Sequence, residues 1–243
     1  MRLWVALLAA ASGYLAGSIP FALVVVRLFG RGQSLRPIEL AVPDADAFLR
    51  SEAVGATAVR LQLGARYGCL TSLLDMAKAA AVTLAFRLAF PEATYHLIAA
   101  GCAVAGHVWP LFHRFRGGRG QSPAIGGLFV IDWPTPLIAY PAALLLGLVT
   151  RSRTYVGRFA PMLVAAAWLY VRFADLPHVF FAVGVFAVRV IAMRRELRQF
   201  RELRRNGHIR SFSDEAELLQ LRGTLTRAAF RLKALARFVT RRS

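Results

Sequence analysis

The chain has 243 residues, 57% of them hydrophobic and only 18% charged, with a formal net charge of +18. A soluble domain of this size cannot bury so much apolar surface, so the composition points to a single integral membrane domain with the bilayer as its solvent. The charge does not indicate nucleic acid, because a soluble basic domain would not carry repeated apolar runs of spanning length; anionic headgroups and phosphorylated small molecules are the expected partners. Cys69 and Cys102 both lie in apolar stretches and provide neither a disulfide framework nor a zinc spacing, so no metal and no cofactor is expected.

The first apolar segment runs from about Leu3 to Phe29. Its opening resembles a secretory signal, but the run continues through Val26 and further spans follow, so it is expected to stay as an uncleaved first span. Gly13, Gly17 and Ser18 permit close helix packing, and Pro20 is expected to kink it. From Gly30 to Arg66 the chain is polar and is expected to form a loop at one membrane face. Apolar segments then recur at about Tyr67–Phe90, Tyr95–Phe112, Ala124–Trp133, Leu137–Val149, Tyr155–Val171 and Val179–Ala192. The expected fold class is therefore an all-α integral membrane protein of about seven transmembrane helices. The fourth and fifth segments are short for a hydrocarbon core that needs about 20 residues, which places the turn at Trp133-Pro134-Thr135-Pro136 within the interface.

If the loop after the first span is cytoplasmic, alternation puts Arg114, Arg116, Arg119, Arg151, Arg153, Arg194 and Arg195 on that same side. The opposite side keeps only Arg2, Arg87 and Arg172, beside Glu92, Asp132 and Asp175. This asymmetry gives N-terminus out and C-terminus in. The membrane domain is taken as residues 1–196. Residues 197–243 form a second unit with 12 Lys+Arg and 4 Asp+Glu, a net +8. Within it Leu218, Leu221, Leu225, Ala228, Leu232, Leu235 and Val239 recur at spacings of three and four, the pattern of a basic amphipathic helix on anionic lipid, with a short coiled coil or an unfolded tail as alternatives.

The chemistry is expected where the third span ends. Gly106-His107-Val108-Trp109-Pro110-Leu111-Phe112 is followed, after His113-Arg114-Phe115, by Arg116-Gly117-Gly118-Arg119-Gly120 and an immediate return to apolar sequence. Glycines allow backbone amides to approach an anion, arginines offer a planar fork of donors, and a helix start adds its positive end. Arg116 and Arg119 with the amides of Gly117, Gly118 and Gly120 therefore form a candidate phosphate cradle. A basic turn obeying the positive-inside rule is the plainer alternative. As a loop residue, Arg119 is expected to matter little for folding.

The order Gly-His-x-x-Pro-x-Phe, then basic-Gly-Gly-basic-Gly, resembles the bacterial acyl-phosphate:glycerol-3-phosphate acyltransferases. Gly17-Ser18-Ile19-Pro20, Ser51–Val59 and Leu74-Asp75-Met76-Ala77-Lys78 agree in the same order, and the resemblance spans about residues 13–196. It implies a multi-pass protein of the bacterial inner membrane, active at the cytoplasmic face, that transfers a fatty acyl group from acyl phosphate to glycerol 3-phosphate and forms lysophosphatidic acid. Since an acyl phosphate is already activated, the resemblance implies direct transfer without an acyl-enzyme.

Ser51, Arg60 and His107 are the candidate catalytic residues, Ser51 as a substrate-binding hydroxyl and His107 as a general base, with an inter-helix hydrogen bond as the structural alternative for His107. Gly55, Thr57, Asp75, Lys78 and Glu196 are candidate supporting residues; Asp75 and Lys78 share a helical face inside a span, where charges pair or serve a site. His113 is expected at the interface. The chain departs from the family pattern at Glu52, Ala53, Ala58 and Leu61, at Gln121-Ser122-Pro123, and at Arg194 and Leu197. A catalytically impaired or re-purposed homologue is the alternative function, and a transporter or channel a remoter one. No histidine is followed four residues later by aspartate, the pattern of the unrelated glycerolipid acyltransferases.

Overall fold

The computed structural model describes residues 2–41, 48–150 and 153–206. In chain order they form α1 (Leu3–Gly17), α2 (Phe21–Phe29), β1 (Ile38–Ala41), β2 (Phe48–Ser51), α3 (Ala56–Leu63), α4 (Ala65–Ala89), α5 (Tyr95–Val108), α6 (Gln121–Ile131), α7 (Pro134–Val149), α8 (Arg153–Phe173) and α9 (Leu176–Arg205). Among the described residues, five segments are long and apolar enough to cross a membrane: Leu3–Phe29, Ala65–Ala89, Tyr95–His113, Val156–Phe173 and Leu176–Leu203. The apolar helices α6 and α7 are shorter, with 11 and 16 residues. The expected amphipathic stripe in the tail lies outside the described residues, which end at Asn206.

The first span is broken rather than kinked. Pro20 has no N–H to give, α1 ends at Gly17, and α2 restarts at Phe21. The second departure is a small antiparallel hairpin inside the expected all-α architecture, with Ile38 opposite Ser51 and Glu39 opposite Arg50. A polar segment outside the hydrocarbon is free to pair strands, because water satisfies the outer edges. The third departure concerns Pro134 and Pro136, expected in an interfacial turn. They occupy the first turn of α7, where a missing N–H costs nothing, so only Asp132 and Trp133 separate α6 from α7.

Packing is by small residues, as suits helices that gain little from hiding apolar surface from lipid. A Cβ on Gly13 would stand 2.3 Å from the Ala99 carbonyl oxygen and one on Gly17 2.1 Å from that of Ala103, so α1 lies directly against α5. Leu3, Leu73, Leu88, Leu145 and Phe180 face outward and are exposed, as lipid-facing side chains are. A core of Leu97, Val104, Leu128, Met162, Leu169 and Val185 joins α5, α6, α8 and α9.

One end of the bundle gathers Asp132, which accepts hydrogen bonds from Thr135 (2.7 Å) and Trp168 (3.1 Å) and lies 3.6 Å from Arg172. Arg87 donates to the Ile131 carbonyl (3.0 Å) at this end, and His178 pairs with Asp175 (2.7 Å). The glycine-rich loop, the hairpin and Glu196 gather at the other end.

Candidate active site

At Trp109-Pro110 helix α5 stops, and the chain reverses through a single 3-10 turn, Leu111–His113, with Arg114 and Phe115 in the left-handed region (φ 51° and 59°). The loop then folds back beneath the end of α5. The Gly118 amide donates to the His107 carbonyl (3.0 Å), and the Val54 amide donates to the Gly117 carbonyl (2.9 Å). One expectation is thereby corrected: the Gly118 N–H is committed to His107 and does not face an anion. The glycines serve close approach instead. A Cβ at Gly117 would lie 2.1 Å from the His107 carbonyl oxygen, and one at Gly118 would lie 2.2 Å from His107 Nε2 and 3.0 Å from the Val54 carbonyl oxygen. Gly118→Ala is accordingly expected to lower stability by about 1–3 kcal/mol, since the new methyl would press on a buried imidazole ring and on the Val54 backbone; a thermal midpoint equal to that of the unmodified protein contradicts this packing.

Gly120 stands at φ +74°, ahead of the first residue of α6, so the loop turns directly into a helix N-terminus. Behind Gly120 stand Val104, Val108 and Arg189. Arg116 is exposed, whereas Arg119 is half-buried and folds inward.

Arg119 is the hub of the first cluster. Its Nη2 lies 2.8 Å from Glu196 Oε1 and 3.1 Å from Ser51 Oγ, its Nε donates to the same carboxylate oxygen at 3.1 Å, and Ser51 Oγ donates to that oxygen at 2.6 Å. Ser51 and Glu196 are buried. These residues come from β2, the glycine-rich loop and α9. The Arg50 amide fastens the hairpin to α9 through Gln199 (3.2 Å). Arg119 is therefore embedded in a network, contrary to the expectation of a loop charge with little structural weight.

The second cluster lies deeper. Lys78 Nζ is 2.7 Å from Asp75 Oδ1, and His107 Nδ1 is 3.3 Å from the same oxygen. Lys78 also donates to the Ile19 carbonyl (2.7 Å), at the break between α1 and α2, and sits 5.7 Å from the Phe21 ring centre. Asp75 and Lys78 do pair, as their spacing on α4 suggested, and His107 joins them. A small pocket lined by Ile19, Pro20, Phe21, Asp75, His107 and Gly117 opens here. Gly118, packed on the His107 ring and followed by Arg119, links the two clusters.

The remaining expected residues are distributed around this centre. Gly55 caps α3 in extended backbone, with Gly118 Cα 3.8 Å from the position its Cβ would take. Thr57 and Arg60 are exposed on α3, and the Arg60 Cβ rests on Gly68 at the start of α4. His113 is half-buried at the loop. One buried charge was not anticipated: Arg189, which is 1% exposed within α9. A lone arginine in an apolar run was the available signal. The described residues hold no group of three His, Cys, Asp or Glu suited to a metal ion.

The family profile described as glycerol-3-phosphate acyltransferase matches residues 7–203. Similar curated proteins include glycerol-3-phosphate acyltransferases of Maricaulis maris, 35% identical over 170 residues (68% of this chain and 72% of the relative), and of Nitrobacter winogradskyi, 39% identical over 147 residues (60% and 67%). Among solved structures, the fold is similar to PlsY, an integral membrane glycerol 3-phosphate acyltransferase. Its glycerol 3-phosphate form gives a TM-score of 0.66 at 26% identity, covering 88% of this chain and 99% of that one. Its lysophosphatidic acid form gives 0.63 at 25% identity, covering 80% and 91%.

Proposed function

The chain belongs to the glycerol-3-phosphate acyltransferase family, and from that premise we propose that it moves a fatty acyl group from acyl phosphate directly to glycerol 3-phosphate, releasing lysophosphatidic acid and phosphate. The observation that carries this reading is the convergence of Ser51, Arg119 and Glu196 on one another next to the N-terminus of α6. A cation, a hydroxyl and a helix start are the groups needed to hold an anionic substrate and stabilise a carbonyl oxygen as it turns negative.

In the proposed step a glycerol hydroxyl oxygen attacks the acyl carbonyl carbon, and the bond from that carbon to the phosphate oxygen breaks. The departing phosphate takes the hydroxyl proton, so the balance needs no cofactor and no enzyme nucleophile. Arg119 binds substrate phosphate, with Arg116 at the mouth of the loop. Glu196 aims the Arg119 guanidinium, because both Nε and Nη2 lie on the same carboxylate oxygen. His107, with one ring nitrogen toward Asp75 and the other against Gly118, is assigned to holding the loop rather than to taking the proton.

We further propose that all seven apolar segments pass through a bacterial inner membrane, N-terminus out and C-terminus in. The charged loops then lie at the cytoplasmic face, and the basic tail lies on anionic lipid. The placement of Arg2, Arg87, Asp132, Arg172 and Asp175 at element ends opposite the Ser51 cluster supports this alternation.

Purified protein supplied with acyl phosphate and glycerol 3-phosphate is expected to form lysophosphatidic acid; no product, where an authentic family member makes it under the same conditions, overturns the reading. That result would favour an inactive or re-purposed homologue, for which Ala53, Ala58 and Leu197 speak, since each stands where the resembled family pattern has an asparagine and none can offer its hydrogen bonds. Ser51→Ala is expected to slow turnover about tenfold, the effect of one lost positioning hydrogen bond. With acyl phosphate and no acceptor, intact-protein mass spectrometry is expected to show no acyl-serine; a stoichiometric adduct at Ser51 would require a covalent route instead.

A further inference from the structure

Arg189 is the largest fully buried side chain among the described residues, and no carboxylate accompanies it. Its Nη2 donates to Gln121 Oε1 (3.1 Å), the side chain of the first residue of α6. Its Nε and Nη1 are enclosed and have no hydrogen-bond partner among the described residues. Tyr140 of α7 lies within electrostatic reach of the guanidinium, and its hydroxyl is likewise enclosed and without a partner. One cation, three unused donor groups and a helix N-terminus thus meet where no carboxylate of the described residues pairs with the cation. A charge left so in a membrane interior is strongly disfavoured, and chains retain one where a site needs it.

The depth of this meeting point bears on its ligand. Arg189 precedes Glu196 by seven residues on the continuous helix α9, two turns or about 10 Å further along the span. Helix α6, with 11 residues, is only about 16 Å long, about half the thickness of a hydrocarbon core, so with its Asp132 end at the outer face, as in the orientation proposed above, its first turn starts inside that core. Arg189 Cγ is 3.5 Å from the place a Gly120 Cβ would take, and Val104 and Val108 stand on the same side. The site is the apolar-walled floor of the loop whose water-facing side holds Arg119.

We propose that Arg189, Tyr140 and the N-terminus of α6 bind the phosphate of the acyl donor, an anion carried on a hydrocarbon chain and arriving from the lipid side. Glycerol 3-phosphate, which has no apolar part to bury, is held by Arg119 from the water side. Two anions are then kept on separate cations, and the donor carbonyl is presented to the acceptor hydroxyl between them. Gln121, one of the positions at which the chain departs from the family pattern, is the group that accepts the hydrogen bond of Arg189.

This assignment rests on the acyl-phosphate reading, and its test is built to fail separately. The probes are a non-hydrolysable long-chain alkyl phosphonate, inorganic phosphate and glycerol 3-phosphate, titrated against the purified full chain in detergent micelles. Arg189→Met, which keeps the volume and removes the charge, is expected to weaken alkyl phosphonate binding about 30-fold or more while leaving glycerol 3-phosphate within about twofold. Arg189→Lys is expected to fall between, and Tyr140→Phe to weaken the phosphonate about threefold to tenfold with Arg189 in place. Equal losses for both ligands, or an unchanged phosphonate affinity, overturn the proposal. Inorganic phosphate that binds as tightly as the phosphonate and depends equally on Arg189 also overturns it, because the site would then take a free anion. If Arg189→Met does not fold, Tyr140→Phe decides, and an unchanged phosphonate affinity in that variant is a refutation. Phosphonate binding through Arg189 without any lysophosphatidic acid formation leaves the site standing and removes the reaction; turnover with an unaltered KM for acyl phosphate in Arg189→Met does the reverse.

Discussion

Arg119→Ala is expected to lower kcat/KM for lysophosphatidic acid formation by about 10²–10³-fold, the range seen when a preorganised charge-stabilising donor is removed. The guanidinium makes three of the four close contacts in its cluster, two to Glu196 Oε1 and one to Ser51 Oγ. Alanine therefore removes the substrate cation and also leaves the Glu196 carboxylate with a hydroxyl in place of a charge. That carboxylate is little exposed, so a stability loss of about 1–3 kcal/mol is expected beside the kinetic one. Arg119→Lys keeps the charge and loses the fork; its activity is expected between the two, because a lysine cannot hold Glu196 and a phosphate in one plane. Turnover by a folded Arg119→Ala protein at the unmodified rate would remove Arg119 from the site.

The largest stability effect is expected at Asp75. Its carboxylate lies 2.7 Å from Lys78 Nζ and 3.3 Å from His107 Nδ1, and the Lys78 and Asp75 side chains are only 4% and 2% exposed. Asp75→Ala leaves a buried ammonium with the Ile19 carbonyl as its remaining oxygen partner at 2.7 Å, at a cost of about 3–5 kcal/mol. The double variant Asp75→Ala with Lys78→Met removes both charges and is expected to recover part of that loss, the sign of a coupled pair. Thermal midpoints of the unmodified protein, Asp75→Ala, Lys78→Met and the double variant in the same detergent measure it. A single variant as stable as the unmodified protein, or a double variant no better than the single, would show that the pair carries no such coupling. Activity is expected to fall in Asp75→Ala as well, since the carboxylate positions His107 and the His107 ring is the surface on which Gly118 rests.

Much of this protein was determined by local properties of its sequence. Apolar run length decides membrane insertion residue by residue, so the spans at Ala65–Ala89 and Tyr95–His113 were visible in composition alone. Pro20 made an interruption of the first span certain in kind, though whether it bends or breaks the helix depended on the surroundings: Lys78 takes the Ile19 carbonyl there. The spacing of Asp75 and Lys78 declared a pair because two charges three residues apart on a buried helix face have few alternatives.

What only the tertiary structure decided are the contacts between distant segments. Ser51 and Glu196 are 145 residues apart and Arg119 lies between them in sequence; their meeting depends on a hairpin that hydropathy does not reveal and on a helix that continues beyond the apolar run. The loop glycines were legible as a motif but not in their use, since nothing local announces that His107 will occupy the space beside Gly118. Arg189 is the same case in reverse. Its cost was readable from one letter in an apolar run, but its position behind Gly120, against Gln121 and near Tyr140, arises from how α6, α7 and α9 meet. Hydropathy and helix period act over a few turns, whereas a site in a helix bundle is set by which small-residue faces allow two backbones to touch.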